Sequence, residues 1–215
     1  MYVRTVEGNG LTLQVSGKLW MRSLVMRDVE TKSEWSHLLG RAMAGELEGK
    51  KLKPLIADMV TWAEWQADHP NTTVTTLSKV SKNYTSEFYQ SKKASSFVFG
   101  FEVNGEVCFL SMADMVAQPV VQFEISNTPL LATFDEKGTA IRLFDRRVNG
   151  RPRRFRYKDG LLIDSSSNSR WDPHSGVCVE GKSKGQMLTQ RVGIMSFTRA
   201  WKNFHPDSRQ ITVSK

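Results

Sequence analysis

Two kinds of side chain that can do chemistry occur twice in this chain at one constant spacing. Asp28 and His69 are followed 136 positions later by Asp164 and His205. Carboxylates and imidazoles serve as acid–base catalysts and as metal ligands, so these four residues are candidates for a paired catalytic or metal site. One histidine per copy, without a second histidine or cysteine close in sequence, is a poor set of metal ligands.

Each of the four residues also has a structural interpretation, which we favour. The residue before a proline is pushed out of the α region, so a His-Pro pair ends a helix, and the imidazole can complement the helix dipole. An aspartate at the end of a short strand commonly caps the next turn through backbone N–H groups. We expect the two histidines to end helices and the two aspartates to cap turns.

The densest positive charge of the chain lies between residues 146 and 158. The anion-binding candidates in this segment are Arg153, Arg154, Arg156 and Lys158. Strand alternation places the last three on one face, opposite Phe155 and Tyr157. Such a row could bind phosphate or a nucleic-acid backbone, or form a solvated edge that discourages aggregation. We favour the solvated edge, because no other nucleic-acid-binding motif accompanies the row.

The paired residues belong to a longer internal repeat. Residues 24–74 align with residues 160–210 without a gap, and internal repeats set the architecture of a chain. Further identical residues at matching positions are Trp35 and Trp171, Gly40 and Gly176, Gly45 and Gly181, Gly49 and Gly185, Leu52 and Leu188, Trp65 and Trp201, and Pro70 and Pro206. We expect the four tryptophans to anchor the core instead of forming a ligand platform.

The local pattern is mainly that of strands. Apolar alternation and β-forming residues predict strands at 11–15, 23–28, 96–103, 106–110, 119–126, 129–134 and 139–145. Thr61 and Glu64 have the spacing of a capping box and begin a short helix. The sequence therefore predicts a β-rich α+β fold of two pseudo-repeated, mostly antiparallel β lobes, each with one short helix that ends at His-Pro.

The two copies are unequal in length. The first lobe is predicted at 1–77 and the second at 96–215, with a linker rich in serine and lysine at 78–95. The second lobe contains strands that have no counterpart in the first. If the lobes fold alike, the strands that cover the first core come from the second lobe, from a second chain such as a homodimer partner, or from residues outside this sequence.

The composition is that of a globular protein with an excess of positive charge. The 215 residues carry a formal net charge of +8, which favours acidic partners such as nucleic acid, anionic lipids or small anions. No apolar run reaches the roughly eighteen residues of a membrane span, and residues 1–15 lack the apolar core of a signal peptide. Cys108 and Cys178 show no metal-type spacing and are expected to be buried as small hydrophobic residues.

Several segments match, in order, the motifs of a known family. They are DVETKSEW, GRAMAGELEGKKL and WAEWQADHPNT in the first copy, DSSSNSRWDP, GVCVEGKSKGQML and AWKNFHPDS in the second, and the hairpin FEVNGEVCFLS between them. On these segments nearly the whole chain resembles the bacterial family of unknown function numbered 3179. The resemblance implies tandem copies of one unit and a periplasmic or extracellular location, and it implies no established reaction. The chain departs from the family in lacking a paired-cysteine segment before its first hairpin.

The sequence favours a non-enzymatic binding or accessory protein, with an anionic ligand as one candidate partner. The alternative is a metal-dependent or other enzyme with a site between the two lobes. A second alternative is binding of nucleic acid or another polyanion through the basic strand at 146–158. The motifs of phosphate loops, dinucleotide-binding folds, serine hydrolases and zinc peptidases are absent from the sequence, and the sequence leaves the cofactor open.

Overall fold

A computed structural model describes residues 1–74 and 94–212, in which strands greatly outnumber helices. Strand pairs in these ranges are antiparallel, apart from one short parallel pair between Arg209–Gln210 and Cys108–Phe109. The predicted β-rich, mostly antiparallel fold is thus confirmed. The predicted linker lies outside the described residues except for Ala94 and Ser95. The helices of the described ranges are too short and too polar to cross a membrane.

The elements follow one another in three groups along the chain. The first group is β1 (Thr5–Val6), β2 (Asn9–Gly10), β3 (Leu13–Trp20), β4 (Ser23–Asp28), β5 (Glu34–Ser36), β6 (Arg41–Ala44) and α1 (Trp62–Asp68). The second is β7 (Phe97–Val103), β8 (Glu106–Ser111), α2 (Met112–Ala117), β9 (Val120–Ile125), β10 (Thr128–Asp135) and β11 (Ala140–Asp145). The third is β12 (Arg147–Val148), β13 (Arg151–Pro152), β14 (Phe155–Lys158), β15 (Leu161–Asp164), β16 (Arg170–Trp171), β17 (Cys178–Glu180), β18 (Thr189–Arg191), β19 (Ile194–Phe197), α3 (Thr198–Phe204) and β20 (Arg209–Gln210).

Two four-stranded sheets share the largest core. One has the strand order β18-β11-β10-β9 and the other β19-β7-β8-β20. The core between them includes Phe101 and Leu143. Because successive side chains of a strand point to opposite faces, β10 presents Leu130 to this core and Leu131 to the other side of its sheet, where a second core lies. This explains the continuous apolar run at residues 129–132 of β10, since both faces of the strand are buried there.

Residues 146–188, which we call the second Trp module, cover that other side. Strands β14 to β17 form their own four-stranded sheet, and the fully buried Trp171 belongs to one core with Leu131 and Phe144. The side-chain amide of Gln122 on β9 accepts the N–H of Phe155 at 2.9 Å and donates to the Phe155 carbonyl at 2.8 Å. This pair of hydrogen bonds joins β14 to β9.

Residues 1–54, which we call the first Trp module, have the corresponding arrangement. Strands β3 to β6 form a four-stranded sheet, and the fully buried Trp35 lies at the centre of the local core. A Cβ on Gly40 would lie 2.3 Å from the Tyr2 ring, and one on Gly176 would lie 2.7 Å from the Phe144 ring. Both glycines have positive φ, so each position requires a residue without a side chain.

The first Trp module and the segment after it contact the second half of the chain at several places. The rings of Trp20 and Phe204 meet edge to face with centroids 4.8 Å apart. Asp58 accepts hydrogen bonds from Arg142 at 2.5 Å and from Gln190 at 3.0 Å. A cleft lies between the first Trp module and the second half of the chain.

Candidate functional site

Asp28 is a buried carboxylate at the end of β4. Its Oδ1 accepts the backbone N–H of Thr31 at 2.5 Å, and its Oδ2 accepts the indole N–H of Trp35 at 2.9 Å. Burial raises the pKa of Asp28, but the hydrogen bonds from Trp35 and Thr31 outweigh burial and leave this pKa below its ordinary value. The carboxylate therefore caps the turn as an anion and also holds the buried tryptophan.

Asp164 has the matching position at the end of β15. Its Oδ1 accepts the backbone N–H of Ser166 at 2.8 Å, and its Oδ2 accepts the hydroxyl of Ser167 at 2.8 Å. Burial raises the pKa of Asp164, but these hydrogen bonds and the charge of Arg153 outweigh burial and lower it. The buried indole N–H of Trp171 has no hydrogen-bond partner among the described residues, which distinguishes this turn from the first.

Each of the two repeated histidines lies at a helix end and packs on a tryptophan of its own helix. His69 caps α1 by donating its backbone N–H to the Trp65 carbonyl at 2.9 Å, and His205 caps α3 by donating to the Trp201 carbonyl at 2.8 Å. The ring centroids are 4.1 Å apart in the first pair and 4.3 Å apart in the second. These contacts give both imidazoles a structural role.

The four candidates for a metal or catalytic site do not come together. Asp28 and Asp164 are each bound within their own turn, and each histidine packs on its own helix. Residues 1–74 and 94–212 contain no group of three or more His, Cys, Asp or Glu side chains that could hold a metal ion. Of the four, His205 lines the cleft between the first Trp module and the second half of the chain.

The four repeated tryptophans differ in burial. Trp35, Trp171 and Trp201 are buried, as predicted, but Trp65 is 42% exposed, so the core prediction is wrong for Trp65. Trp201 packs against β7, where a Cβ on Gly100 would lie only 2.2 Å from the indole ring. Among the described residues, no strand packs against α1 as closely as β7 packs against α3, and Trp65 is exposed.

The basic strand lies at the edge of its sheet, since β14 pairs with β15 on one side only in the described structure. Arg154, Arg156 and Lys158 are exposed and take part in no ion pair between described residues. Arg153 is different, because it donates to the Ser166 hydroxyl at 2.7 Å and lies 3.7 Å from the Asp164 carboxylate. Arg153 therefore supports the turn, and three cations remain on the surface.

The cleft has a volume of about 750 Å³. Its apolar walls include Trp20, Leu39 and Pro54 on one side and Phe101, Ile194 and Phe204 on the other. Its polar residues include Arg41 and Lys51 on the first wall and Glu102, Asn203 and His205 on the second. A concave site of this size, with mostly apolar walls and a few polar groups, is typical of small-molecule binding sites.

Two polar groups of the cleft have pKa values that favour their neutral forms at pH 7. Burial raises the pKa of Tyr2 to about 12, and its hydroxyl donates to the Leu38 carbonyl at 2.9 Å. Burial lowers the pKa of His205, although the charge of Glu102 acts in the opposite direction. The imidazole is therefore mainly neutral at pH 7 and can act as a hydrogen-bond donor or acceptor.

Sequence reasoning considered a site between the two lobes only as an alternative and did not identify the residues that line the cleft, because its walls come from two separate parts of the chain, residues 2–54 and 100–205. One signal was present in the internal repeat. Arg41 and Lys51 align with Val177 and Met187, so cations replace apolar residues at two matching positions of the first copy. Such a difference between two aligned segments indicates a feature that their shared strand pairing does not need.

A family model described as "Protein of unknown function (DUF3179)" matches residues 1–208. No curated protein and no solved structure shows significant similarity to the chain.

The role of Asp28 can be tested by stability measurements. We expect Asp28→Asn to lower the free energy of unfolding by about 1.5–3 kcal/mol at pH 7, because the variant loses hydrogen bonds to a charged acceptor. Since the folded pKa of Asp28 is lowered, its contribution is present above the ordinary carboxyl pKa and is lost as the pH falls through the folded value. The difference between variant and unmodified protein in urea unfolding should therefore shrink in acid. Asp159→Asn, in an exposed turn, is the control and should change little at either pH.

The two helix tryptophans are expected to differ in their effect on stability. Trp201→Ala should cost about 3–5 kcal/mol, the range for truncating a large buried aromatic residue. Trp65→Ala should cost about 1 kcal/mol or less, because the side chain is already largely in water. Urea unfolding monitored by circular dichroism measures both, and equal losses would contradict the exposure of Trp65.

Proposed function

The chain belongs to the DUF3179 family of proteins of unknown function, and we propose that it is a binding protein that holds a small ligand in its cleft. The observation that carries this proposal is the cleft itself, which has apolar walls from two separate parts of the chain and a few polar groups among them. Apolar walls provide affinity through burial, and sparse polar groups fix the orientation of a ligand.

The internal repeat gives the cleft its place in the architecture. We infer that the lobes 1–77 and 96–215 are copies of one unit joined by the linker at 78–95. This is supported by the two aspartate turns and by a close approach that occurs in both copies. A Cβ on Gly45 would lie 2.8 Å from the Ser33 backbone, and one on Gly181 would lie 2.8 Å from the Ser169 backbone. On this inference the ligand binds between the two copies.

A second candidate function is an enzyme that uses the same cleft. One observation favours it, since the half-buried, mainly neutral His205 lines the cleft together with Glu102, and a neutral imidazole can act as a general base. Asp28, Asp164 and His69 take no part in this hypothesis, because they are not among the lining residues. Conversion of a bound ligand that stops in His205→Gln would favour the enzyme over the binding protein.

Binding of a polyanion through the basic strand is a separate hypothesis. It is supported by three exposed cations, namely Arg156 and Lys158 on the edge strand β14 and Arg154 directly before it. The neighbouring Tyr157, which is also exposed, could stack on a base. Binding that weakens with added salt would support this hypothesis.

The cleft-binding proposal is tested by filling the cleft from one side. Asn203 is an exposed residue of α3 that lines the cleft, and Arg199 is an exposed residue of the same helix that does not. We expect Asn203→Trp to weaken binding of a neutral apolar probe, dodecanol, by on the order of tenfold, because the indole occupies the space of the probe. Arg199→Trp should bind dodecanol as the unmodified protein does, with calorimetry as the measurement. Unchanged binding in Asn203→Trp would contradict the proposal.

We also propose that a second copy of the chain covers the exposed side of the first lobe. The support is a set of exposed apolar residues in and before α1, namely Leu55, Ile56, Met59, Trp62 and Trp65. Exposed apolar patches of this kind commonly mark interfaces. Light scattering should give a mass of twice 24.4 kDa for the unmodified protein. The variant Trp65→Lys should give the mass of one chain. Val15→Lys, at an exposed apolar residue of β3, is the control and should keep the double mass. The mass of one chain for the unmodified protein would overturn the proposal.

A further inference from the structure

We propose that the ligand of the cleft is an anionic amphiphile whose acidic head group lies between Arg41 and Lys51. This inference rests on the proposed binding function and adds the chemical class of the ligand. An amphiphile here means a molecule with one acidic group, carboxylate or phosphate, and an apolar tail.

The first support is an unfavourable pair of charges in the wall of the cleft. Arg41 and Lys51 are directly opposite each other at an antiparallel bridge, and both line the cleft. Side chains at such positions lie close together, and like charges there are destabilising. Neither residue takes part in an ion pair between described residues.

The second support comes from the other copy of the unit. Val177 and Met187 form the same antiparallel bridge in the second Trp module. The fold therefore accepts an apolar pair at this place and does not need two cations. The cations occur in the copy whose bridge faces the cleft, which indicates a role in binding and not in folding.

The third support is the distribution of charge and apolar surface around the pair. An anion placed between Arg41 and Lys51 would relieve their repulsion, and a guanidinium binds carboxylate or phosphate through two parallel hydrogen bonds. Glu102 lies on the opposite wall and would repel an acidic group there. The apolar tail would then lie along Trp20 and Phe204, whose rings are in contact across the two sides.

The test compares ligands that differ only in their head group. Calorimetry is done with dodecanoate, dodecyl phosphate, dodecanol and dodecyltrimethylammonium, each below the concentration at which it aggregates. We expect at least one of the two anions to bind on the order of tenfold more tightly than dodecanol, and the cation to bind least tightly. The ranking of the two anions identifies the head group.

The variant Arg41→Val/Lys51→Met gives the bridge of the first Trp module the two residue types found at the matching bridge of the second, Val177 and Met187. It should weaken binding of the preferred anion about tenfold without weakening the binding of dodecanol, which has no charge for the two cations to attract. Arg154→Val/Lys158→Met removes the same two charges from the basic strand and is the matched control, which should bind the anion as the unmodified protein does. Circular dichroism and urea unfolding establish that both variants fold.

The outcomes separate this inference from the function on which it rests. Dodecanol binding that Asn203→Trp weakens, without any preference for an anion, would overturn the inference and leave the cleft-binding function standing. Equal loss of anion binding in the two double variants would mean a general charge effect and would also overturn it. Absence of binding by all four amphiphiles would count against both proposals.

Discussion

One buried carboxylate at the end of a short strand holds the turn and the tryptophan of the first Trp module together. In the first module the Asp28 side chain receives the indole N–H of Trp35 and the backbone N–H of Thr31 at the same time. A buried charge without partners costs several kcal/mol, so the carboxylate is stable only if the turn and the indole are both in place. The turn after β4, the tryptophan and the sheet therefore form as one unit.

This constraint extends to the wall of the cleft. Trp35 is paired with Ala42 across β5 and β6, and Ala42 is buried beside it. Because neighbouring residues of a strand point to opposite faces, the burial of Ala42 turns Arg41 outward. The position of Arg41 in the cleft thus depends on a hydrogen bond made on the other face of the same sheet. Lys51 is fixed in turn, because it pairs with Arg41.

Features with a local cause could be predicted from the sequence, and features with a distant cause could not. Thr61 caps α1 through the N–H of Glu64, as its spacing indicates, and the turn at Asn104-Gly105 has positive φ at both residues, as a type I′ turn requires. The exposure of Trp65 depends instead on which strand lies over its helix. The cleft likewise depends on how two remote parts of the chain pack, which no local pattern encodes.

The position of the second Trp module within the chain has a consequence for folding kinetics. The module is inserted between β11 and β18, which are neighbours in one sheet, and β19 pairs with the still earlier β7. Pairing of strands so far apart carries a loop-closure cost that grows with the length of flexible chain between them. A folded module brings its two ends together and shortens that effective loop. Folding of the module before β18 pairs with β11 would therefore lower the loop-closure cost of completing the central sheet.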